Sequence, residues 1–328
     1  MRKNILLLIL FLGTGNFLVF AQGQTPGTTA LPFLKIGFSA RPQALGGNFV
    51  ALSDDVSAFE YNPAGLANLK GSQYNFTHMA LFDNDVTADV FMSGVGFGNN
   101  AIGFSAKVLK VKDYTTAKTD VAGVETIVQT TGLELSDSNF SFLYARNFPV
   151  SEYNSSEIKF GFTANSIIEK LDTGQVSALS ADLGLLYLSR STGNRWGVSV
   201  ANVGSVSGSQ VLPMTLRIGT GFTSKEFNTS IDAVQAIDSK VKFGIGLEIP
   251  LQKVFILRFG GSYQQSLDFS AGFGFDFKYV KIDYAYTPHA DLGTSTRISL
   301  LIDFTPKPEH FYFGKQSTFL HTFLRWLD

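Results

Sequence analysis

The sequence predicts an all-β protein: a transmembrane antiparallel outer-membrane β-barrel of about 14 strands, with a small helical N-terminal plug in its lumen. Three observations lead to this fold class. Glycine and phenylalanine number 32 and 31 among 328 residues, whereas only 16% of residues are charged. Apolar and polar residues alternate over long segments. No stretch of about 18 uninterrupted apolar residues offers a transmembrane helix.

Residues 1–21 are predicted to be a secretory signal peptide. Arg2 and Lys3 precede an apolar run over residues 5–12, and Ala21 ends a small-residue cleavage site. A membrane anchor is the alternative, but residues 13–16 interrupt the run and leave it too short to span a bilayer as a helix. We therefore expect the mature chain to leave the cytoplasm.

Residues 22–70 are predicted to form the plug segment, which is rich in small residues. Asp54 or Asp55 is expected to cap a short helix that ends near Tyr61. Asn62 then serves as a second cap, with Pro63 at the first helical position. A glycine pair before these helices allows the backbone to approach the barrel wall closely. The residues expected to shape the plug are Gly46, Gly47, Asp54, Asp55, Asn62, Pro63 and Ala64.

Residues 71–304 are predicted to form the barrel. Within residues 267–278, Phe269, Phe273 and Phe277 share one face, and Ser270 and Asp276 lie on the other. A soluble sandwich also alternates in this way, but its strands average about five or six residues, against the 9–11 or so that cross a bilayer. An aromatic girdle is expected from Trp196, Tyr263, Tyr279, Tyr284 and Tyr286.

Fourteen segments carry the alternation. They are residues 73–82, 86–98, 101–112, 138–148, 157–170, 175–188, 195–204, 212–224, 226–235, 239–250, 253–264, 266–278, 279–287 and 294–304. An even number of strands puts both ends of the barrel on the periplasmic side. Residues 99–100, 191–194 and 250–253 then become periplasmic turns, and the longest connection, residues 113–137, lies on the extracellular side.

The inward positions are read as mostly Gly, Ser, Ala and Thr, which predicts a polar lumen with room for a plug. Isolated charges interrupt this pattern, and they are expected to form salt bridges that hold the plug; a polar conduit is the alternative. These lumen charges are Lys242, Glu248, Arg258, Asp268, Asp276, Asp283, Arg297 and Asp303.

Catalytic and metal chemistry find no support in the residue pattern. The chain has no cysteine and four scattered histidines, His78, His289, His310 and His321. Asp54 and Asp55 have no nucleophile or acid partner beside them. The net charge of -1 gives no field for nucleic acid. We therefore expect neither an enzyme nor a bound cofactor or metal.

Residues 44–47, 51–55 and 62–66, in this order behind a signal peptide, resemble the N-terminal signature of the PorV/PorQ family, a branch of the FadL-like outer-membrane barrels. Residues 284–300 are similar to the closing hairpin of the same family. The chain departs from the family pattern at Glu60-Tyr61, and at its end, where 24 residues follow Phe304.

The resemblance implies a non-enzymatic barrel in the outer membrane of a Gram-negative-type bacterium, serving type IX secretion by shuttling cargo or attaching it to the surface. The implied partners are outer-membrane lipid, secreted cargo with a C-terminal sorting domain and other secretion subunits. Residues 113–137 and the neighbouring extracellular loops are expected to be the contact surface, on their position rather than on any motif. A FadL-like channel for uptake of hydrophobic small molecules is the alternative. A cluster of inward Phe or Leu near residues 33–69 would favour that alternative.

Residues 305–328 are expected to form a periplasmic tail. Phe319, Leu320, Phe323, Leu324 and Leu327 make one helical stripe in it. Such a helix would either rest on the periplasmic leaflet or dock on the barrel rim.

Overall fold

The computed structural model describes residues 27–304, apart from 112–115, 120–124, 129–134, 152–154, 172–173, 209, 252–253 and 290–292. The signal peptide expected at residues 1–21 and the tail expected at residues 305–328 lie outside the described residues. Within the described part, the chain contains no helix with the length and apolar character needed to cross a membrane.

Fourteen antiparallel strands close into one barrel, which confirms the predicted fold class. The closure is made by β1, which pairs with both β2 and β16. A two-stranded hairpin, β4–β5, lies within the β3–β6 connection. The strands are β1 (Ser72–Leu81), β2 (Val86–Phe97), β3 (Asn100–Val111), β4 (Thr116–Thr119), β5 (Glu125–Val128), β6 (Leu135–Ser151), β7 (Ser156–Leu171), β8 (Gly174–Ser189), β9 (Asn194–Val206), β10 (Thr215–Thr223), β11 (Asn228–Ala236), β12 (Lys242–Pro250), β13 (Phe255–Tyr263), β14 (Leu267–Phe277), β15 (Val280–His289) and β16 (Gly293–Asp303).

Each predicted strand lies within three residues of an observed barrel strand at both ends. We call the end that holds Ser72 and Asp303 the proximal end, and the end that holds Leu81 and Gly293 the distal end. Asn99 and the 190–193 turn lie at the proximal end, whereas the β3–β6 connection lies at the distal end, as the alternation of turns requires. The β4–β5 hairpin was not predicted, because strands of four residues are too short to show a clear alternation of apolar and polar residues.

The outer face of the barrel is apolar and aromatic. On β14, Phe269 and Phe277 are 60% and 50% exposed, and Phe273 stacks on Tyr284 of β15 at 5.2 Å between ring centroids. Trp196 and Tyr263 are also largely exposed near strand ends. A continuous band of this kind is costly in water and suits contact with lipid.

The N-terminal segment runs through the lumen from the distal to the proximal end. Thr29 makes a parallel bridge to Val211 in the distal β9–β10 connection. The segment then forms four short helices before it enters β1 at the proximal end. These are the 3-10 helix Pro32–Lys35, the α-helices Ala40–Ala44 and Ala58–Tyr61, and the 3-10 helix Pro63–Asn68.

The lumen is less polar than the sequence predicted. On β1–β3, buried inward side chains such as Met79, Met92 and Leu109 form one apolar cluster with Phe33 and Phe59 of the plug. Inward positions of β2 and β3 include Gly, Ala and Ser, as expected, but those of β1 differ, because Thr77 lies there beside Gln73, Asn75, Met79 and Leu81. The sequence pattern places the wall residues of the apolar cluster on strands correctly. It does not show that they pack against the plug, because the contacting residues are far apart along the chain.

Wall glycines lie where the plug backbone comes closest. A Cβ atom on Gly197 would stand 2.3 Å from the Val50 carbonyl oxygen, and one on Gly161 would stand 2.2 Å from the Pro63 carbonyl carbon. Any side chain at these positions would displace the plug. Close packing of plug against wall thus accounts for part of the high glycine content.

Candidate functional site

Small polar side chains of the wall hold the plug backbone. Ser199 donates from Oγ to the Tyr61 carbonyl oxygen at 2.6 Å, and Ser299 Oγ accepts from the Ala40 amide at 3.0 Å. Asp232 accepts from the Val50 amide at 3.0 Å. Backbone groups of an irregular segment inside a barrel need such partners, because little water reaches them. The small inward residues are therefore hydrogen-bonding sites for the plug.

Arg41 of the plug joins three carboxylates near the proximal end. Its Nη1 lies 2.6 Å from Asp54 Oδ1 and 2.7 Å from Asp55 Oδ2, and its Nε lies 3.0 Å from Glu248 Oε2 on β12. The contact with Glu248 ties the plug to the wall. The guanidinium also stacks over the Phe49 ring at 5.0 Å. We call this group of four charged residues the plug latch.

The wall side of the plug latch continues into a buried ion-pair chain. Arg258 donates from Nε to Glu248 Oε2 and from Nη1 to Asp283 Oδ1, both at 2.6 Å. Arg258 is 2% exposed, so all of its charge is balanced inside the protein. Buried charges with several partners each are held in fixed positions, because a lost partner leaves an uncompensated charge.

Asp55 shows how the plug latch fixes its carboxylates. Burial alone would raise the pKa of Asp55, but the Arg41 guanidinium and hydrogen bonds from Ser57 outweigh it and lower the pKa below its ordinary value. Asp55 Oδ1 accepts from the Ser57 amide at 2.8 Å, and Ser57 itself is the cap residue of helix Ala58–Tyr61. Asp55 thus binds an amide at the start of this helix through one oxygen, as a cap does, and binds Arg41 through the other, whereas Asp54 binds Arg41.

The other predicted plug residues lie against the wall. Asn62 caps helix Pro63–Asn68, because its Oδ1 accepts from the Ala64 amide at 3.1 Å. Its Nδ2 also donates to the Leu185 carbonyl oxygen of β8 at 3.0 Å. Gly46 and Gly47 both adopt positive φ angles, of 71° and 76°. A Cβ on Gly260 of β13 would stand 2.1 Å from the Gly46 amide nitrogen.

The remaining charged residues of the lumen make contacts in different parts of the barrel. Arg297 donates from Nε to the Gly37 carbonyl oxygen of the plug at 3.0 Å. Asp276 pairs with Lys281 of the neighbouring strand at 3.3 Å. Asp303 lines a proximal cavity of about 340 Å³ together with the plug latch, whereas Lys242 faces a different cavity at the distal end.

This distal cavity, of about 360 Å³, lies between the N-terminal segment and the wall. Its apolar side is formed by Phe33, Ile36, Phe38 and Phe59, and its polar side by strand residues. The principal polar lining residues are Lys107, Asn139, Asn165, Asp182, Asn202, Arg217, Lys242 and Gln264. A cavity of this size with one apolar and one polar side fits a small amphipathic molecule.

Two cations of the distal cavity lack an ion-pair partner. Within the described part of the chain, neither Arg217 nor Lys242 forms an ion pair closer than 4 Å, and Arg217 Nη1 makes no hydrogen bond. The two acids that line the cavity are engaged elsewhere. Glu60 accepts from the Phe38 and Ser39 amides at 3.1 Å and pairs with Lys107 at 3.4 Å, and Asp182 accepts from Asn165 at 2.9 Å. The cavity therefore presents cationic donors that an anionic group would satisfy.

Sequence reasoning missed several of these residues. Arg217, Lys107 and Asp182 lie at inward positions of strands that were predicted correctly. The alternation along each strand could therefore have indicated that these side chains face the lumen. Arg41 carried no such signal, because its partners Asp54, Asp55 and Glu248 meet it only in the folded chain. Among the described residues, no cluster of three or more His, Cys, Asp or Glu is arranged to hold a metal ion.

The profile of an uncharacterised protein family (UPF0164) matches residues 20–204. No curated protein matches the chain.

Solved structures share the architecture at low identity. The toluene transporter TbuX of Ralstonia pickettii superposes with a TM-score of 0.55 at 15% identity, covering 81% of this chain and 97% of that one. The P. putida toluene transporter TodX gives 0.54 at 11% identity, covering 83% and 99%. A Pseudomonas aeruginosa FadL homologue gives 0.53 at 10% identity, covering 82% and 100%. At these identities the likeness establishes the fold alone.

Proposed function

The chain belongs to UPF0164, an uncharacterised protein family, and from its FadL-type fold we propose that it is an outer-membrane channel protein that binds small amphipathic molecules in the distal cavity. The observation that carries the proposal is the pairing, in one cavity, of an aromatic side with two cations that lack ion-pair partners. The exposed apolar band supports the outer membrane as the location, with its lipid as a partner.

The ligand class follows from the two sides of the cavity. The similar structures include toluene transporters and a monoaromatic hydrocarbon channel. A hydrocarbon would fill the side made by Phe33 and Phe38 but would leave Arg217 and Lys242 unsatisfied. We therefore propose an organic carboxylate with a small apolar body as the ligand. The inward apolar cluster near residues 33–69, which includes Phe33, Phe38 and Phe59, favours this function.

The experiment is calorimetric titration of the detergent-solubilised barrel with benzoate and, separately, with toluene. We expect benzoate to bind more tightly, and Arg217→Gln to weaken benzoate binding by roughly tenfold, since a hydrogen bond to a charged group contributes about 1.5–3 kcal/mol. The matched control is Arg146→Gln, on the exposed outer face near the proximal end. Equal binding by the two variants would rule out the cavity as the site.

Protein export is the second candidate function. It is supported by the resemblance of residues 44–66 to the PorV/PorQ signature and by the β4–β5 hairpin, which extends the distal connection available to a protein partner. In this role the barrel would carry or anchor cargo of type IX secretion through its sorting domain, with no catalytic step. Mild crosslinking in the outer membrane, affinity purification and mass spectrometry test it. Recovery of secreted proteins that share a C-terminal β-domain supports export, and a barrel recovered without them argues against it.

A further inference from the structure

One charged pair lies on the outer face of the barrel. His78 of β1 and Asp89 of β2 face each other across the ladder, with Nδ1 2.8 Å from Oδ1, and their side chains are 61% and 79% exposed. Other outward charged side chains of the described strands, such as Lys110 and Arg146, are level with the two ends of β3. His78 has apolar or small neighbours along the outward face of its strand, Phe76 and Ala80. Polar side chains that face lipid are destabilising, so the presence of this pair on an apolar surface requires an explanation.

The pair lies well inside the apolar band. Tyr74, four residues before His78 on β1, contacts Phe304 at 6.4 Å and marks the aromatic rim of the proximal end. Four residues of strand span about 13 Å, or ~10 Å along the membrane normal at a tilt of ~40°. Beyond His78 the strand continues to Leu81 before the connection that carries Asp83 and Asp85. In an apolar band ~25 Å tall, this places the pair near the middle.

Each member of the pair keeps an unused polar atom. The described structure gives no hydrogen bond to His78 Nε2 or to the second carboxylate oxygen of Asp89. Hydrocarbon cannot supply these partners, and unmet polar groups at this depth are costly. A covering surface must therefore offer one hydrogen-bond partner to His78 Nε2 and one donor to Asp89.

The surroundings of the pair form a shallow groove of about 400 Å³. Apolar side chains line it, and Phe76 packs against Phe91 at 4.9 Å between ring centroids. Ala106 of β3 and Ile298 of β16 lie at its sides. Small and aromatic residues around a polar pair are the composition of a protein contact within a membrane rather than of a lipid-facing surface.

We infer that this groove is the contact surface for a second copy of the chain, related by a two-fold axis. A two-fold axis brings the same patch to itself, so His78 of each copy meets Asp89 of the other. His78 Nε2 then lies within hydrogen-bond reach of the free carboxylate oxygen of the partner's Asp89, and the reciprocal contact forms by symmetry. Both unused atoms are satisfied at once, so the polar groups of one patch complement those of the other. This inference does not depend on the proposed function.

The test is site-directed crosslinking in outer-membrane vesicles. Because the chain has no cysteine, Ala106→Cys introduces a single thiol beside the groove. The matched control is Ala233→Cys, an outward alanine on β11, at the opposite side of the barrel. With a bis-maleimide reagent we expect a product of twice the monomer mass for Ala106→Cys and none for Ala233→Cys.

The charge pair is tested by adding His78→Leu and Asp89→Leu to Ala106→Cys. The crosslinked product should fall by roughly tenfold, since the two membrane hydrogen bonds are removed while the apolar surface remains. The resistance of the barrel to SDS at room temperature checks that the variant is folded. An unchanged yield, equal dimer yields from both single cysteines, an adduct with a different protein, or no adduct would each overturn the inference.

Discussion

At the residue scale, Arg41, which no sequence pattern indicated, joins two carboxylates of the plug to one of the wall. It is a plug residue that contacts two plug carboxylates and one wall carboxylate, with 17% of its side chain exposed. Asp54 receives a second, longer contact from Arg195 of β9, at 3.6 Å. Glu248 keeps Arg258 if Arg41 is lost, whereas Asp55 has no other cation among its described ion pairs. The loss of Arg41 therefore leaves a negative charge buried in the plug.

We predict that Arg41→Ala lowers the free energy of unfolding by about 3–5 kcal/mol, because removal of one partner leaves buried charge uncompensated. The measurement is urea unfolding of the barrel in detergent or lipid. Arg146→Ala, which removes an exposed outward arginine, is the control and should change stability little. An equal effect of the two substitutions would mean that the plug latch does not contribute to stability.

At the element scale, strands and plug differ in how far the sequence determines them. Each strand has a two-residue period that survives in isolation, so β14 could be located from its phenylalanines alone. The plug helices are only four to six residues long, and their ends depend on wall contacts. Asn62-Pro63 was a reliable local signal because both the cap and the proline act within one turn. Asp55 also acts locally, through the Ser57 amide, but its ion pair with Arg41 has no local signal, because the two residues are 14 positions apart in an irregular segment.

The residues of the candidate site likewise differ in whether a local sequence pattern predicts them. The inward position of Lys242 and Glu248 follows from strand alternation and could be predicted. Which of them meets the plug could not, because this depends on the register between an irregular segment and fourteen strands. Glu248 contacts Arg41, while Lys242 faces the distal cavity.

We predict that Gly197→Val on β9 displaces the plug, since its Cβ would overlap the Val50 carbonyl oxygen at 2.3 Å. Overpacking at such a site costs about 1–3 kcal/mol. The measurement is hydrogen exchange of the amides of residues 48–53, which should lose protection. Gly261→Val on β13 is the matched control, because its nearest neighbour would be an Ile245 methyl at 3.9 Å. If the amides of residues 48–53 stay protected in Gly197→Val, the plug can shift to accommodate the side chain without losing its hydrogen bonds.

At the scale of the whole molecule, the barrel is wide enough that its interior must be filled by water or by chain. Here the N-terminal segment fills the middle of the lumen and leaves one cavity towards each end, of about 360 and 340 Å³. The plug latch lies beside the proximal cavity, and the two cations without ion-pair partners lie in the distal cavity. A ligand that enters from the distal side must displace part of the plug to reach the proximal cavity.

We predict that deletion of residues 30–69 raises the single-channel conductance in planar bilayers several-fold, because it exposes a lumen of 14-strand width. The full-length mature chain is the reference, and the SDS resistance of the barrel establishes whether the shortened chain has closed. A closed, shortened barrel with unchanged conductance would show that another segment seals the lumen.

The path of the N-terminal segment also constrains the order of biogenesis. Thr29 is anchored at one mouth of the barrel and Ser72 begins the wall at the other, so the intervening chain is threaded through a closed ring. If the barrel closed first, this segment would have to pass lengthwise through the lumen, where wall glycines leave little space around its backbone. We therefore expect the seam between β1 and β16 to form after the segment is seated, so that the plug is a template around which the sheet curves during insertion.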